Sequence, residues 1–210
     1  MSLDERILFL RQLKESFIHT GAVTPSSRFL AKAITSEFAC HTKPSVILEV
    51  GPGTGVFTKE IAKHMISGDQ LHICEINAKF AEHIEQMVNT ENIFSKLKNQ
   101  IKIYNAPVQT LTEISHYDYI ISGLPLNNFD IPLVNEILSF FKSHLSNGGK
   151  LSYFEYIGIR KMKCQLLIGE ERKKLHELDK VLCNFVKQYQ LKYQIIPFNI
   201  PSAYVRHLKF

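Results

Sequence analysis

The stretch VILEVGPGTG, residues 46–55, joins an almost wholly apolar run to a turn with glycines at 51, 53 and 55. A short apolar run that ends in turn residues reads as a buried strand, and Val56 to Met65 after it reads as a helix. A strand, a glycine turn and a helix in that order form the corner of a crossover unit, and the next strand must then lie parallel to the first. Ligands of such sheets sit in the crevice at the carboxyl ends of the strands, where this turn falls. Glycine lets the backbone turn tightly and approach a ligand closely. The dinucleotide fingerprint asks for glycine at 51, 53 and 56, and position 56 is valine. No Lys-Ser/Thr follows, so the phosphate-binding P-loop is also excluded, and the pattern that remains is GxGxG.

The alternation continues along the chain. LHICE (71–75) reads as a second strand, and Asn77 starts a helix. IKIYNA (101–106) and YDYIIS (117–122) read as the third and fourth strands, and Ile131 to Leu145 as a helix. KLSYFEYI (150–157) is the fifth strand, and a basic helix covers about 170–189. Two strand-like runs, 191–200 and 203–210, close the chain too near one another for a crossover helix, so they pair antiparallel. The expected fold is α/β, a mostly parallel sheet ending in an antiparallel hairpin, with helices on both faces. Ahead of it, residues 1–20 read as an amphipathic helix and 21–210 as the domain, with Thr24-Pro25 a helix start signal.

At 210 residues and 45% hydrophobic content the chain is long and apolar enough for its own core. No apolar run approaches the roughly 18 residues that span a bilayer. Charges interrupt the N-terminal apolar stretch, so no secretory signal is expected. The four cysteines form no CxxC pair, which suits free thiols in a reducing cytoplasm and leaves no metal site expected. Between Arg160 and Lys192 lie nine basic and four acidic residues, a surplus equal to the net charge of +5. A clustered surplus points to an anionic partner such as nucleic acid, phospholipid headgroups or a phosphorylated substrate.

Glu75 lies twenty residues after Gly55, at the end of the second strand. A carboxylate there can accept both ribose hydroxyls of an adenosine-containing ligand. Taken with EVGPGTG and the strand order, it makes residues 20–210 resemble the class I S-adenosylmethionine-dependent methyltransferases, a Rossmann-like fold with seven strands. The resemblance implies S-adenosylmethionine as cofactor. It implies cofactor contacts at Glu49, Gly51, Gly53, Thr54, Gly55, Glu75, Ile76 and Ser122. Asn105-Ala106 stands where the family's third strand ends against the adenine.

The loop after the fourth strand, Ser122-Gly123-Leu124-Pro125-Leu126-Asn127-Asn128-Phe129, faces the transferred methyl in this family. Adenine N6-methyltransferases, the ribosomal RNA dimethylases among them, carry Asn-(Leu/Pro)-Pro-(Tyr/Phe) there to hold and stack a flipped base. Gly123 and Leu126 stand in place of that amide and aromatic. The chain is more similar to the bacterial phospholipid N-methyltransferases, relatives of those dimethylases, on GAVTPSSRFLAKAI (21–34) and SGLPLNNF (122–129). That resemblance implies methylation of phosphatidylethanolamine. It places Ser26 and Ser27 beside the cofactor and Leu124-Pro125 beside the acceptor amine. Aromatic faces favour a methylammonium, and Phe129, Tyr153, Phe154 and Tyr156 are the candidates. Strand alternation puts Phe154 and Tyr156 on one face, Tyr153 and Glu155 on the other, with Tyr156 the best placed.

The N-terminal helix and the basic segment could rest on an anionic membrane surface on the cytoplasmic side, or the helix could close over the cofactor as a lid. No stable protein partner is implied. An RNA adenine methyltransferase-like enzyme, or a non-catalytic cofactor- or membrane-binding module, is the alternative.

Overall fold

The computed structural model describes residues 26–112, 116–157 and 169–210. The N-terminal amphipathic helix, Thr24-Pro25 and the basic residues 160–168 lie outside the described residues. Seven strands form one sheet: β1 (Val46–Val50), β2 (Gln70–Cys74), β3 (Ile101–Tyr104), β4 (Tyr117–Ser122), β5 (Leu145–Tyr156), β6 (Gln190–Ile196) and β7 (Ala203–Lys209). Their order is β3-β2-β1-β4-β5-β7-β6. β1 to β5 run parallel, while β7 lies antiparallel to both β5 and β6. The chain walks outward from β1 through β2 to β3, then returns across β1 to β4 and β5. The loops after β1 and β4 therefore leave the sheet in opposite directions and open a crevice between them.

The closing pair is antiparallel as expected, but the last strand lies inside and the earlier one forms the sheet edge. The helix before β6 carries the chain past the position that β7 later fills. β6 is accordingly the most exposed strand, with only Ile196 buried. β5 also starts earlier than expected, at Leu145, because the register against β4 shifts between Tyr117 and Tyr119 and takes up the NGG turn.

Among the described residues five α-helices cover the sheet: α1 (Arg28–Ile34), α2 (Val56–Ala62), α3 (Ala78–Thr90), α4 (Ile131–His144) and α5 (Glu170–Tyr189). Three of their starts are capped by a side chain. Ser27 Oγ accepts from Leu30 N–H to cap α1, and Asp130 Oδ1 accepts from Leu133 N–H to cap α4. Asn77 Oδ1 accepts from the N–H groups of Lys79 and Phe80 to open α3. One core packs α1, α2 and α3 on a face that includes Ile47, Ile73, Ile121 and Phe154. The other packs α4 and α5 on Leu48, Ile120, Leu151 and Tyr153. Adjacent residues of one strand serve opposite cores, as strand alternation requires. Each such side chain contributes about 1.5–3 kcal/mol on full burial.

The basic helix is less basic than its segment. α5 buries Leu175, Leu178, Leu182 and Val186 along one side. Its own charges nearly balance, with five basic and four acidic residues. Lys173 pairs with Glu170, and Lys192 beyond the helix pairs with Glu37.

Candidate active site

The sheet ladder runs on into the loops that frame the crevice. Gly51 N–H donates to Cys74 O at 2.8 Å, Gly123 N–H to Val50 O at 2.8 Å and Glu75 N–H to Tyr104 O at 3.0 Å. The backbone at the ends of β1, β2 and β4 is therefore held by its neighbours. A cavity of about 390 Å³ opens there. That is the size of a small-molecule site, and its position is the switch point between β1 and β4.

Toward β2 and β3 the wall consists of the glycine turn, Glu75, Ile76 and the loop 106–109, with Phe80 of α3 across from them. Glu75 is the carboxylate of this wall. Its Oε2 accepts from Gly53 N–H at 3.2 Å and its Oε1 from Asn77 N–H at 2.9 Å. Two backbone donors thus fix the group under the turn, within reach of a ribose diol. Asn105 Nδ2 donates to the Glu75 carbonyl at 2.8 Å, and Cys74 Sγ donates to Ala106 O at 3.0 Å, which ties the β3 loop to β2.

The three glycines of the turn do different work, and all have positive φ. A Cβ at Gly51 would meet Leu124 Cδ2 at 2.9 Å. A Cβ at Gly53 would meet nothing within 4 Å, so this residue opens onto the cavity. A Cβ at Gly55 would meet Met87 Cε at 2.6 Å and Ile84 Cδ1 at 2.9 Å, so Gly55 lets α3 pack against the turn and is not part of the wall. Alanine at 55 is expected to cost at least about 1–2 kcal/mol of stability, from left-handed strain and from displacing Met87 and Ile84, and to leave cofactor affinity nearly intact. Alanine at 53 bears similar strain but projects its methyl into the cavity, and it should lower affinity as well. Denaturant unfolding beside calorimetric titration of both variants checks the contrast.

Toward β4 and β5 the wall is apolar and aromatic: Leu124, Pro125, Phe129, Phe154 and Tyr156, with Asn128 and Ser26 as its polar members. Phe154 lies edge-on to Phe57 at 6.0 Å and to Tyr156 at 5.2 Å. Burial pushes the Tyr156 phenol up, which keeps it neutral through the physiological range. Tyr153 takes the opposite face, as alternation predicts. Its hydroxyl donates to Glu155 Oε1 at 3.0 Å inside the second core, which removes it from the acceptor candidates.

The structure brings Ser26, Gly51, Gly53, Thr54, Glu75, Ile76, Ala106, Leu124, Pro125 and Tyr156 together on one wall. It places five other expected contacts, besides Tyr153, behind that wall. Ser27 caps α1, and its N–H donates to Asn199 Oδ1. Glu49 is fully buried inside β1, between Ile73 and Ile121 of the flanking strands. Gly55 serves helix packing. Asn105 braces Glu75 from an exposed position. Ser122 is fully buried and accepts from Leu124 N–H, bracing the β4 loop. Leu126 also turns into the core, so of this loop's large apolar side chains Leu124 and Phe129 face the cavity. Sequence reasoning missed Phe57, Phe80, Val108, Gln109, Asn128 and Ile137 on the wall. Of these, Asn128 lies within a motif already singled out and could have been found there.

Residues 48–151 match the family described as Methyltransferase domain. An ornithine lipid N-methyltransferase of Singulisphaera acidiphila is 23% identical over 142 residues, covering 68% of this chain and 73% of its own. A Burkholderia thailandensis 1,6-didemethyltoxoflavin-N1-methyltransferase, crystallised with its substrate and S-adenosylhomocysteine, superposes with a TM-score of 0.68 at 12% identity, covering all of this chain and 90% of its own. A Bordetella parapertussis structure superposes with a TM-score of 0.60 at 13% identity over 85% of this chain, which spans only 66% of that longer one. The fixed carboxylate under an open glycine turn fits an adenosine group in a structure built on that fold. Fold, site and family match together make this chain a class I S-adenosylmethionine-dependent methyltransferase.

Proposed function

We propose that the enzyme methylates the primary amine of a lipid headgroup, phosphatidylethanolamine in the first place. The observation that carries this reading is the chemistry of the β4–β5 end of the cavity. Among the described residues, Tyr156 is the one titratable side chain on that part of the wall, and its neighbours are Leu124, Pro125, Phe129 and Phe154. Such a wall suits an amine that arrives on a flexible arm and becomes a larger cation. Each aromatic face favours that cation by about 0.5–2 kcal/mol. The similarity to an ornithine lipid N-methyltransferase supports an amine lipid as acceptor.

When bound, S-adenosylmethionine supplies a methyl on a sulfonium. Glu75 and the glycine turn would hold that group, and the methyl would pass to the lone pair of an amine. The amine needs a free lone pair, so an ammonium with pKa near about 10 must first lose a proton. The free amine is the form that attacks, so the proton is lost before transfer. The residues act by placement. Glu75 and the turn hold the cofactor, while Leu124, Pro125 and Tyr156 line the amine up behind the methyl, which is worth up to about 7–11 kcal/mol of barrier.

Label from the cofactor's methyl should enter the lipid extract when phosphatidylethanolamine vesicles are supplied, and the rate should climb with pH toward the amine's own pKa. Tyr156→Ala should reduce kcat/KM by more than it weakens cofactor binding. A second acceptor class has one observation in its favour. Asn128 and Phe129 return an amide and an aromatic to the wall, from positions later in the loop than the adenine enzymes use. Label in RNA and none in lipid would assign the enzyme to that class.

A further inference from the structure

The turn between β6 and β7, Pro197-Phe198-Asn199-Ile200-Pro201-Ser202, is built inside out. Its polar residue Asn199 is buried at 3% exposure, whereas Phe198 and Ile200 stand 74% and 76% exposed. Hydrogen bonds fix this arrangement. Asn199 Oδ1 accepts from Ser27 N–H at 2.9 Å, and Asn199 Nδ2 donates to Pro201 O at 2.8 Å. Ser202 Oγ donates to Pro197 O at 3.2 Å, and Ile157 N–H donates to Ser202 O at 2.7 Å. Phe29 of α1 is itself half exposed, and its ring lies 5.6 Å from that of Phe198, extending the apolar tip onto the helix. A pinned loop that turns two large apolar residues outward and its amide inward marks a surface that meets something other than water.

The charges around the tip say what it meets. Residues 26–36 and 195–203, which form it, contain Arg28 and Lys32 and no acidic residue, while Lys192 farther along β6 is paired with Glu37. The Arg28 guanidinium lies 5.1 Å from the centre of the Phe29 ring, and Lys32 shares a shallow groove with Phe29 and Phe198. Apolar side chains within a cationic rim match an anionic bilayer, whose acyl region takes the first and whose headgroups pair with the second. The tip also adjoins the cavity. Ser26, next to the tethered Ser27, lines the wall, and Tyr156 pairs in register with Ala203, the first residue of β7.

We infer that the β6–β7 tip, with Phe29, Arg28 and Lys32, is a membrane-docking wedge that seats in an anionic leaflet and holds the cavity mouth against it. Its part in catalysis rests on the lipid reading given above. Its part in binding does not.

The test uses the full chain and vesicles of phosphatidylglycerol in phosphatidylcholine. Phe198→Ser with Ile200→Ser should lower partition onto these vesicles at least tenfold while cofactor affinity stays as in the wild type, which also shows that the variant is folded. Arg28→Glu with Lys32→Glu should weaken binding to these vesicles and leave the weaker binding to pure phosphatidylcholine unchanged. With phosphatidylethanolamine added, the serine variant should methylate vesicle lipid slowly and a water-soluble short-chain analogue at the wild-type rate. Unchanged partition of the serine variant, or no vesicle binding by the wild type, overturns the wedge. Loss of self-association in light scattering with vesicle binding intact also overturns it and makes a second copy the occupant. If no lipid amine takes label in any form, the substrate assignment fails and the partition comparison still decides the wedge.

Discussion

Glu75→Ala is expected to weaken S-adenosylmethionine binding by at least tenfold, the larger part of it from lost hydrogen bonds to the ribose. A bond to a charged acceptor contributes about 1.5–3 kcal/mol, and two are at stake. The substitution has a second effect, because the same carboxylate holds Gly53 N–H and Asn77 N–H. Asn77 N–H loses its partner in a buried site, at about 1–3 kcal/mol, while Gly53 N–H at the cavity wall loses less. Glu75→Ala should therefore also unfold earlier than the wild type. Glu75→Gln keeps one acceptor and turns an amide toward one of the two donors, so it should fall between the two in both measurements. Calorimetric titration with the cofactor, run beside denaturant unfolding, separates the effects. Unchanged affinity in Glu75→Ala would remove this residue from the ribose site.

The second large effect is expected at Gly123. A Cβ built there lies 2.5 Å from Gly51 O, a backbone atom that cannot rotate away. The β1 and β4 loops touch through two residues without side chains, and Leu124 packs over the contact. Gly123→Ala should force the loops apart, costing about 1–3 kcal/mol of stability as an overpacked site does. Methyl transfer should suffer more, because a misplacement of about 1 Å at a reacting centre costs on the order of a hundredfold. Gly123→Asn, which restores the residue of adenine N6-methyltransferases, should fail for the same reason and should not confer RNA methylation. A methylation assay with cofactor affinity measured alongside checks this. Full activity in Gly123→Ala would mean that the loops are not in contact during catalysis.

Much of this was legible in the sequence, and the part that was not has a common cause. β4 spans Tyr117–Ser122 and α5 spans Glu170–Tyr189, as patterning predicts, because apolar period and turn chemistry are local. The same holds for the Asn77 cap and for the split of Tyr153 from Phe154 and Tyr156. A motif says where a residue stands along a strand but not what stands opposite. Ser122 and Asn105 close the ends of their strands as expected, yet each spends its side chain on the neighbouring loop. Gly55 looks like its partners at 51 and 53 until α3 is laid beside it. Ile137 and Phe80 reach the cavity from helices that only the completed fold brings across the crevice. In the described part of the basic segment the acids and most of the bases share one helix, and Lys192 is held by Glu37. Arg28 and Lys32 stand on α1 in a stretch, residues 26–36, that holds no acidic residue.

The contact between Phe57 and Phe154 has a thermodynamic consequence. Phe57 belongs to the helix that the glycine turn opens, Phe154 to the strand that carries Tyr156, and both rings line the cavity. The two halves of the site thus share one side-chain pair as a common wall. Whatever displacement one ligand imposes on that pair is felt by the other, and such coupling is reciprocal. Any factor by which occupancy of the cofactor half changes affinity in the other half is matched by the same factor in the reverse direction.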